Sequence, residues 1–208
     1  MINIHNHSDT VVIVVHEIYG INQHMKHICK LLSEKNLDVI CPNLLNQEEP
    51  FEYVQEEVAY QNFIENLGFL NASDKIKSIV GNMRDKYKKI FIIGFSVGAT
   101  IAWLCSEEKG LDGMVGYYGS RIRNYGEICP LCPVMLFFPE KEPSFNVDEL
   151  ISYLVEKNIE IHKCKGQHGF SDPYSQKYNA TSAKEAFNKT VDFCQNAVVL
   201  NKKQIRES

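Results

Sequence analysis

The stretch Lys89-Ile90-Phe91-Ile92-Ile93-Gly94-Phe95-Ser96-Val97-Gly98-Ala99 runs an apolar strand straight into Gly-x-Ser-x-Gly, and the helix-prone Ala99-Thr100-Ile101-Ala102-Trp103-Leu104 follows. This order predicts a nucleophile elbow: the serine sits on a strained strand-to-helix turn, and only glycines two positions away let the backbones approach closely. Such a turn lifts the hydroxyl above the sheet edge. It also aims the first unpaired N–H groups of the helix at an oxygen that becomes negative during attack. Ser96 is therefore the candidate nucleophile, and the Val97 N–H is the first candidate oxyanion donor.

A nucleophilic serine needs a base, and the chain has seven histidines. His168 stands in Lys165-Gly166-Gln167-His168-Gly169-Phe170, a glycine-flanked loop between the strand pattern Ile159-Glu160-Ile161-His162 and a helical pattern from about residue 179. Open α/β sheets place their chemistry in loops at the carboxyl ends of strands, so His168 is the candidate base. His162 falls inside the strand pattern and reads as structural, while His5 and His7 belong to a polar N-terminal segment without chemistry. His24 and His27 lie three apart on a predicted helix with Met25, Ile28 and Leu31. They could begin a metal site, but no third ligand is placed to complete it, so they read as ordinary helix histidines.

The third member of a triad is expected after another strand, between serine and histidine in chain order. Pro133-Val134-Met135-Leu136-Phe137-Phe138 is that strand, and Pro139-Glu140-Lys141-Glu142-Pro143 ends it. A carboxylate there would accept the imidazole's other N–H and stabilise the imidazolium that forms. Glu142 is the first candidate and Glu140 the second; Asp148, inside the next helical pattern, is weaker.

Val11-Val12-Ile13-Val14-Val15 is a continuous β-branched run, as in a strand buried on both faces, and it opens into His16-Glu17-Ile18-Tyr19-Gly20. That loop can supply a second oxyanion donor. With Gly-x-Ser-x-Gly, Val115-Gly116-Tyr117-Tyr118-Gly119, the Pro-Glu-Lys-Glu-Pro turn and His168-Gly169-Phe170, it makes the chain resemble the dienelactone hydrolase family of α/β hydrolases over about residues 10–195. The resemblance implies an α/β-hydrolase fold, a mostly parallel central sheet with helices on both faces. It implies Ser96 as nucleophile, His168 as base and Glu142 as triad acid, with the Ile18 and Val97 N–H groups as the oxyanion hole. Glu17 is similar to the family's inner glutamate, which pairs with the nucleophile before substrate arrives. It is expected to tune Ser96, with its pKa raised by burial.

The chain departs from the family pattern in three places. Serine stands where the type enzyme has a cysteine nucleophile, which moves the expectation towards general ester hydrolysis. The acid is glutamate where aspartate is usual. Phe170-Ser171-Asp172 occupies the place of the arginine that binds a substrate carboxylate, so a carboxylated substrate would meet Asp172 and be repelled unless Arg84, Arg121 or Arg123 reaches the pocket.

At 208 residues and 44% hydrophobic content the chain suits one well-buried core, and a single domain 1–208 is expected, with a polar, frayed tail at 201–208. The net charge is −4 and the few arginines are scattered, so neither nucleic acid nor a membrane surface is an expected partner. No apolar run approaches the ~18 residues of a spanning helix, and the N-terminus lacks an export signal's pattern, so a cytoplasmic location is expected. The seven cysteines, mostly within apolar patterns, read as small buried hydrophobes in a reducing compartment. Cys129-Pro130-Leu131-Cys132 has redox or zinc spacing but no second pair to complete a site, and it too reads as structural.

The remaining pattern alternates helix and strand: helix 22–35, strand 37–42, loop 43–50 near the active-site edge, helices 52–66 and 74–87 around a turn at 68–71, strand 112–118, and helices 147–157 and 181–195. Tyr19, Tyr117, Tyr118 and Phe170 are expected as aromatic pocket walls. The expectation is thus a serine hydrolase that cleaves a small ester, thioester or lactone and needs no metal or organic cofactor. An acyltransferase with the same triad and a noncatalytic binding protein of the same fold are the alternatives. No segment specifies an oligomeric state.

Overall fold

Val11 to Val15 have no exposed surface, as a strand covered on both faces requires. Their alternation assigns Val11, Ile13 and Val15 to one apolar cluster and Val12 and Val14 to the other, so the two sides of one strand nucleate the two halves of the core. The structure, a computed structural model, describes residues 1–157 and 159–196; the tail at 201–208 lies outside them.

In chain order the elements are β1 (Ile2–Ile4), β2 (Thr10–Val15), α1 (Gln23–Ser33), β3 (Asp38–Cys41), α2 (Glu56–Asn66), α3 (Phe69–Met83), β4 (Lys89–Phe95), α4 (Val97–Cys105), β5 (Gly113–Tyr117), β6 (Val134–Lys141), α5 (Val147–Val155), β7 (Glu160–Gln167) and α6 (Ala180–Asn196). The seven strands form one sheet in the order β1-β3-β2-β4-β5-β6-β7. Every neighbouring pair is parallel except β1 with β3. Residues of α2, α3, α4 and α5 fill one face, and α1 and α6 cover the other. This is the α/β-hydrolase architecture expected, with the carboxyl ends of β2, β4, β6 and β7 opening at one edge.

Four elements differ from expectation, one of them β7, which runs past the expected 159–162 to Gln167 and so takes in Lys165, Gly166 and Gln167, read from the sequence as loop. The polar N-terminus adds β1, an antiparallel edge strand whose Ile2 and Ile4 pack on the α1 side, a pairing that local pattern does not reveal. Helix α3 starts at Phe69, not residue 74, because Gly68 (φ 70) makes the break alone and its N–H donates to Phe63 O at 2.7 Å. The Phe63 and Phe69 rings then meet edge to face at 5.0 Å, which draws the intervening turn into the helix. Strand β6 continues through Pro139 to Lys141, with a register irregularity against β7 between Pro139 and Lys141, just before Glu142.

Candidate active site

Ser96 links β4 to α4 with φ 52 and ψ −115, a conformation that costs a non-glycine residue on the order of 1–3 kcal/mol. The flanking glycines make it possible. A Cβ on Gly94 would lie 2.1 Å from Gly98 O, and one on Gly98 would lie 2.2 Å from Val15 O. The Ser96 N–H donates to Tyr117 O at 2.9 Å, which fastens the turn to β5.

His168 immediately follows β7, between Gly166 (φ 119) near the end of that strand and Gly169 (φ 86) in the turn beyond, both in conformations that disfavour a side chain. Its Nε2 lies 2.9 Å from Ser96 Oγ. Its Nδ1 is hydrogen-bonded to Glu142 Oε1. The Glu142 side chain is only 4% exposed, whereas Glu140 points to solvent and Asp148 pairs with Lys163 at 2.6 Å. His162 stacks on Phe137 at 5.2 Å and pairs with Glu160, in the structural place expected of it.

Val97 is the first residue of α4, where an N–H has no partner within the helix. Ile18 faces the same pocket as Ser96, and its N–H takes no part in the loop's backbone hydrogen bonds. The loop is braced from below by buried His16. Leu44 N–H donates to His16 Nε2 at 3.0 Å, so Nδ1 carries the proton and donates to Glu17 O at 2.7 Å. Burial holds the His16 pKa below its ordinary value, against the opposing pull of Glu17, in keeping with a neutral ring. Segment 43–50 supplies that Leu44 donor, and Phe51 N–H then donates to Tyr19 O at 2.9 Å.

The pocket is small, about 70 Å³, and lined by Glu17, Ile18, Tyr19, Tyr53, Ser96 and His168, with Glu56, Asp172 and Lys177 among its charged groups. Of the aromatic walls expected, Tyr19 lies here. Tyr118 is fully buried behind the site, its ring 4.9 Å from His168, and Phe170 and Tyr117 belong to the core. Those three are walls of the core because β5 and the end of β7 turn them inward, with the Tyr117 hydroxyl bonded to Thr190 at 2.6 Å. The sequence does not point to Tyr53, Glu56 or Lys177: Tyr53 and Glu56 reach the pocket from the segment that opens α2 and Lys177 from the loop after β7, and nothing in their local sequence marks them. None of the three arginines that could have offset Asp172 lines the pocket. Arg121 donates to Tyr60 at 2.7 Å, Arg123 lies over Phe145, and Arg84 packs against Gly110.

His24 corrects the sequence reading most. It is fully buried, neither ring nitrogen has a hydrogen-bond partner, and its Nδ1 lies 3.5 Å from Glu17 Oε2 and 3.9 Å from Asp172 Oδ2. It thus meets two carboxylates, and the three form the one cluster of metal-ligand type among the described residues. His27 is not part of it, because its ring faces Tyr174. The same contact corrects the expectation for Glu17. Burial pushes its carboxyl up, but His24, His168 and Tyr118 outweigh burial and leave it below the ordinary value. Asp172 is raised by burial, which His24 and a 2.5 Å hydrogen bond from the Tyr53 hydroxyl only partly offset.

Elsewhere, Cys129 is exposed and Cys132 buried, and all seven cysteines are free thiols. No helix of the described residues is long and apolar enough to cross a membrane.

Comparison with known proteins agrees with this architecture. The model of the dienelactone hydrolase family matches residues 3–198. The chain is 43% identical over 172 residues to the Bacillus subtilis protein YczH, covering 81% of this chain and 84% of that one. It is 27% identical over 120 residues to the carboxymethylenebutenolidase of Pseudomonas putida, covering 52% and 50%. The solved structure of a candidate dienelactone hydrolase from Klebsiella pneumoniae superposes with a TM-score of 0.75 at 21% identity, covering 89% of this chain and 86% of that one.

Proposed function

This chain belongs to the dienelactone hydrolase family and is a carboxylic ester hydrolase, and from that footing we propose that it cleaves small esters or lactones through an acyl-enzyme on Ser96. Ser96 Oγ attacks the carbonyl carbon while His168 Nε2 takes its proton. Glu142 holds the Nδ1–H and stabilises the imidazolium, and the Ile18 and Val97 N–H groups receive the oxyanion. His168 returns the proton to the leaving oxygen. Water then repeats the sequence and releases the acid.

The observation that carries this reading is the continuous line from Glu142 through both nitrogens of His168 to Ser96 Oγ. Two further features favour a small neutral substrate. A cavity of about 70 Å³ is well below the ~300–1,000 Å³ of sites for drug-sized ligands, which suits an acetyl-sized acyl group. Glu17, Glu56 and Asp172 outnumber Lys177 along the walls, so an anionic substrate meets net repulsion. The chain acts in this reading as a single domain, in the cytoplasm, where its buried thiols stay reduced.

A fluorophosphonate label tests the proposal, because it reports an activated serine whatever the natural substrate. Wild type should be labelled on Ser96 and hydrolyse p-nitrophenyl acetate, and Ser96→Ala should do neither while keeping its circular dichroism. A Ser96→Ala variant that retains more than about a tenth of the rate would place the chemistry elsewhere.

A further inference from the structure

The two carboxylates that flank His24 belong to different catalytic loops. Glu17 precedes Ile18 in the loop after β2, and Asp172 lies beyond His168 in the loop after β7. His24, in the first turn of α1, places its Nδ1 3.5 Å from Glu17 Oε2 and 3.9 Å from Asp172 Oδ2. Asp172 accepts one hydrogen bond on each oxygen, from the Tyr53 hydroxyl to Oδ2 at 2.5 Å and from the Tyr174 N–H to Oδ1 at 2.9 Å, and both donors are neutral groups. What Asp172 still lacks is a counter-charge, and both carboxylates are almost wholly buried. Two such groups without a cation between them would repel each other and the developing oxyanion as well.

We infer that His24 is a positioning residue: as an imidazolium between Glu17 and Asp172, it ties the loop carrying the Ile18 N–H to the loop carrying His168 and offsets their charge beside Ser96. The Phe95 ring, edge to face at 5.0 Å, keeps the imidazole from turning away. The inference deepens the hydrolase reading above and rests on it.

Ring-nitrogen chemical shifts from NMR of the wild-type chain at neutral pH should report His24 protonated on both nitrogens; a neutral ring overturns the inference. His24→Gln should lower kcat for p-nitrophenyl acetate on the order of 10²-fold through misplaced loops, with KM changed by less than about threefold. Adding Asp172→Asn, which removes the surplus charge, should recover about tenfold of that loss. If His24 only fills space, the second substitution leaves the loss unchanged or deepens it, and the inference fails.

Zn²⁺ alone is the competing occupant. Stoichiometric Zn²⁺ binding by wild type that disappears in His24→Gln would replace the imidazolium with a metal and overturn the proposal. The NMR measurement needs no variant, so it decides even if His24→Gln does not fold. Fluorophosphonate labelling of wild type separates the two readings. An unlabelled wild type overturns the hydrolase reading, whereas a labelled wild type with unaltered kcat in His24→Gln overturns this inference alone.

Discussion

Glu142→Gln tests the least expected member of the candidate triad. The side chain is 4% exposed and its Oε1 is hydrogen-bonded to His168 Nδ1, so glutamine fits the same space and its amide oxygen can still accept the Nδ1–H. What disappears is the negative charge facing the imidazolium that forms during attack. At a charge separation of about 4 Å and an effective dielectric near 20, that charge is worth about 4 kcal/mol. This corresponds to a fall of about 10³-fold in kcat. If the amide instead turns its NH₂ towards Nδ1 and enforces the wrong tautomer, the loss approaches ~10⁴-fold. Glu140→Gln alters an exposed side chain and should stay within about threefold of wild type. The assay is kcat/KM for p-nitrophenyl acetate, with the rate of fluorophosphonate labelling as a second reading of serine activation. A loss of less than about tenfold in Glu142→Gln would refute the charge argument. The reverse ranking of the two variants would move the acid to Glu140.

Gly98→Ala puts a Cβ 2.2 Å from Val15 O and 2.7 Å from His16 O, backbone atoms that can only separate. It should cost about 1–3 kcal/mol in urea denaturation and on the order of 10²-fold in turnover, and a fully stable, active variant would mean the elbow has slack. A neutral lactone should be turned over better than its carboxylated analogue, because the pocket's three carboxylates exceed Lys177 and the inferred His24 imidazolium by one negative charge, which costs an added anion about 1–4 kcal/mol, depending on the local dielectric. Comparing kcat/KM for the pair checks this, and a preference for the acid would show that Lys177 governs the pocket. Asp38 is buried and accepts from the Asn6 N–H, the Ser8 N–H and the Tyr87 hydroxyl at 2.8, 3.0 and 2.8 Å. Burial raises its pKa, but these donors and His5 outweigh burial and leave it below its ordinary value. A carboxylate depressed in the folded state adds stability above its unfolded pKa of about 3.9 and loses that contribution as pH falls through the folded value. Asp38→Asn should therefore be about 1–3 kcal/mol less stable than wild type near pH 7, with the gap closing below about pH 4. A pH-independent gap in urea midpoints would remove the charge from that account.

The existence of the strands from β2 onward, the elbow and the candidate triad were legible in the chain because each is written locally, whereas the edge strand β1 was not. An apolar β-branched run predicts a buried strand, glycines two positions either side of a serine predict a closed turn, and a glycine-flanked histidine after a strand predicts a loop at the carboxyl edge of the sheet. Glu142, the first candidate from the sequence, is the glutamate that meets His168, while Glu140 turns outward. The pocket was not legible in this way. Tyr53 and Glu56, in the segment that opens α2, and Lys177, in the loop after β7, line one pocket with Ser96 although these segments are far apart in sequence, and only the assembled fold brings them together. Tyr117 and Phe170 stand beside active-site motifs in the sequence, yet the alternation of strand faces turns them into the core. His24 shows the division most sharply. Its helical spacing is that of an ordinary core-facing residue, and its charge environment comes from Glu17 and Asp172, delivered by two other loops. Periodicity encodes which face of an element is buried, because that depends on neighbours along the chain. The electrostatic surroundings of a buried group depend on neighbours through space, and these exist only once the sheet has been assembled.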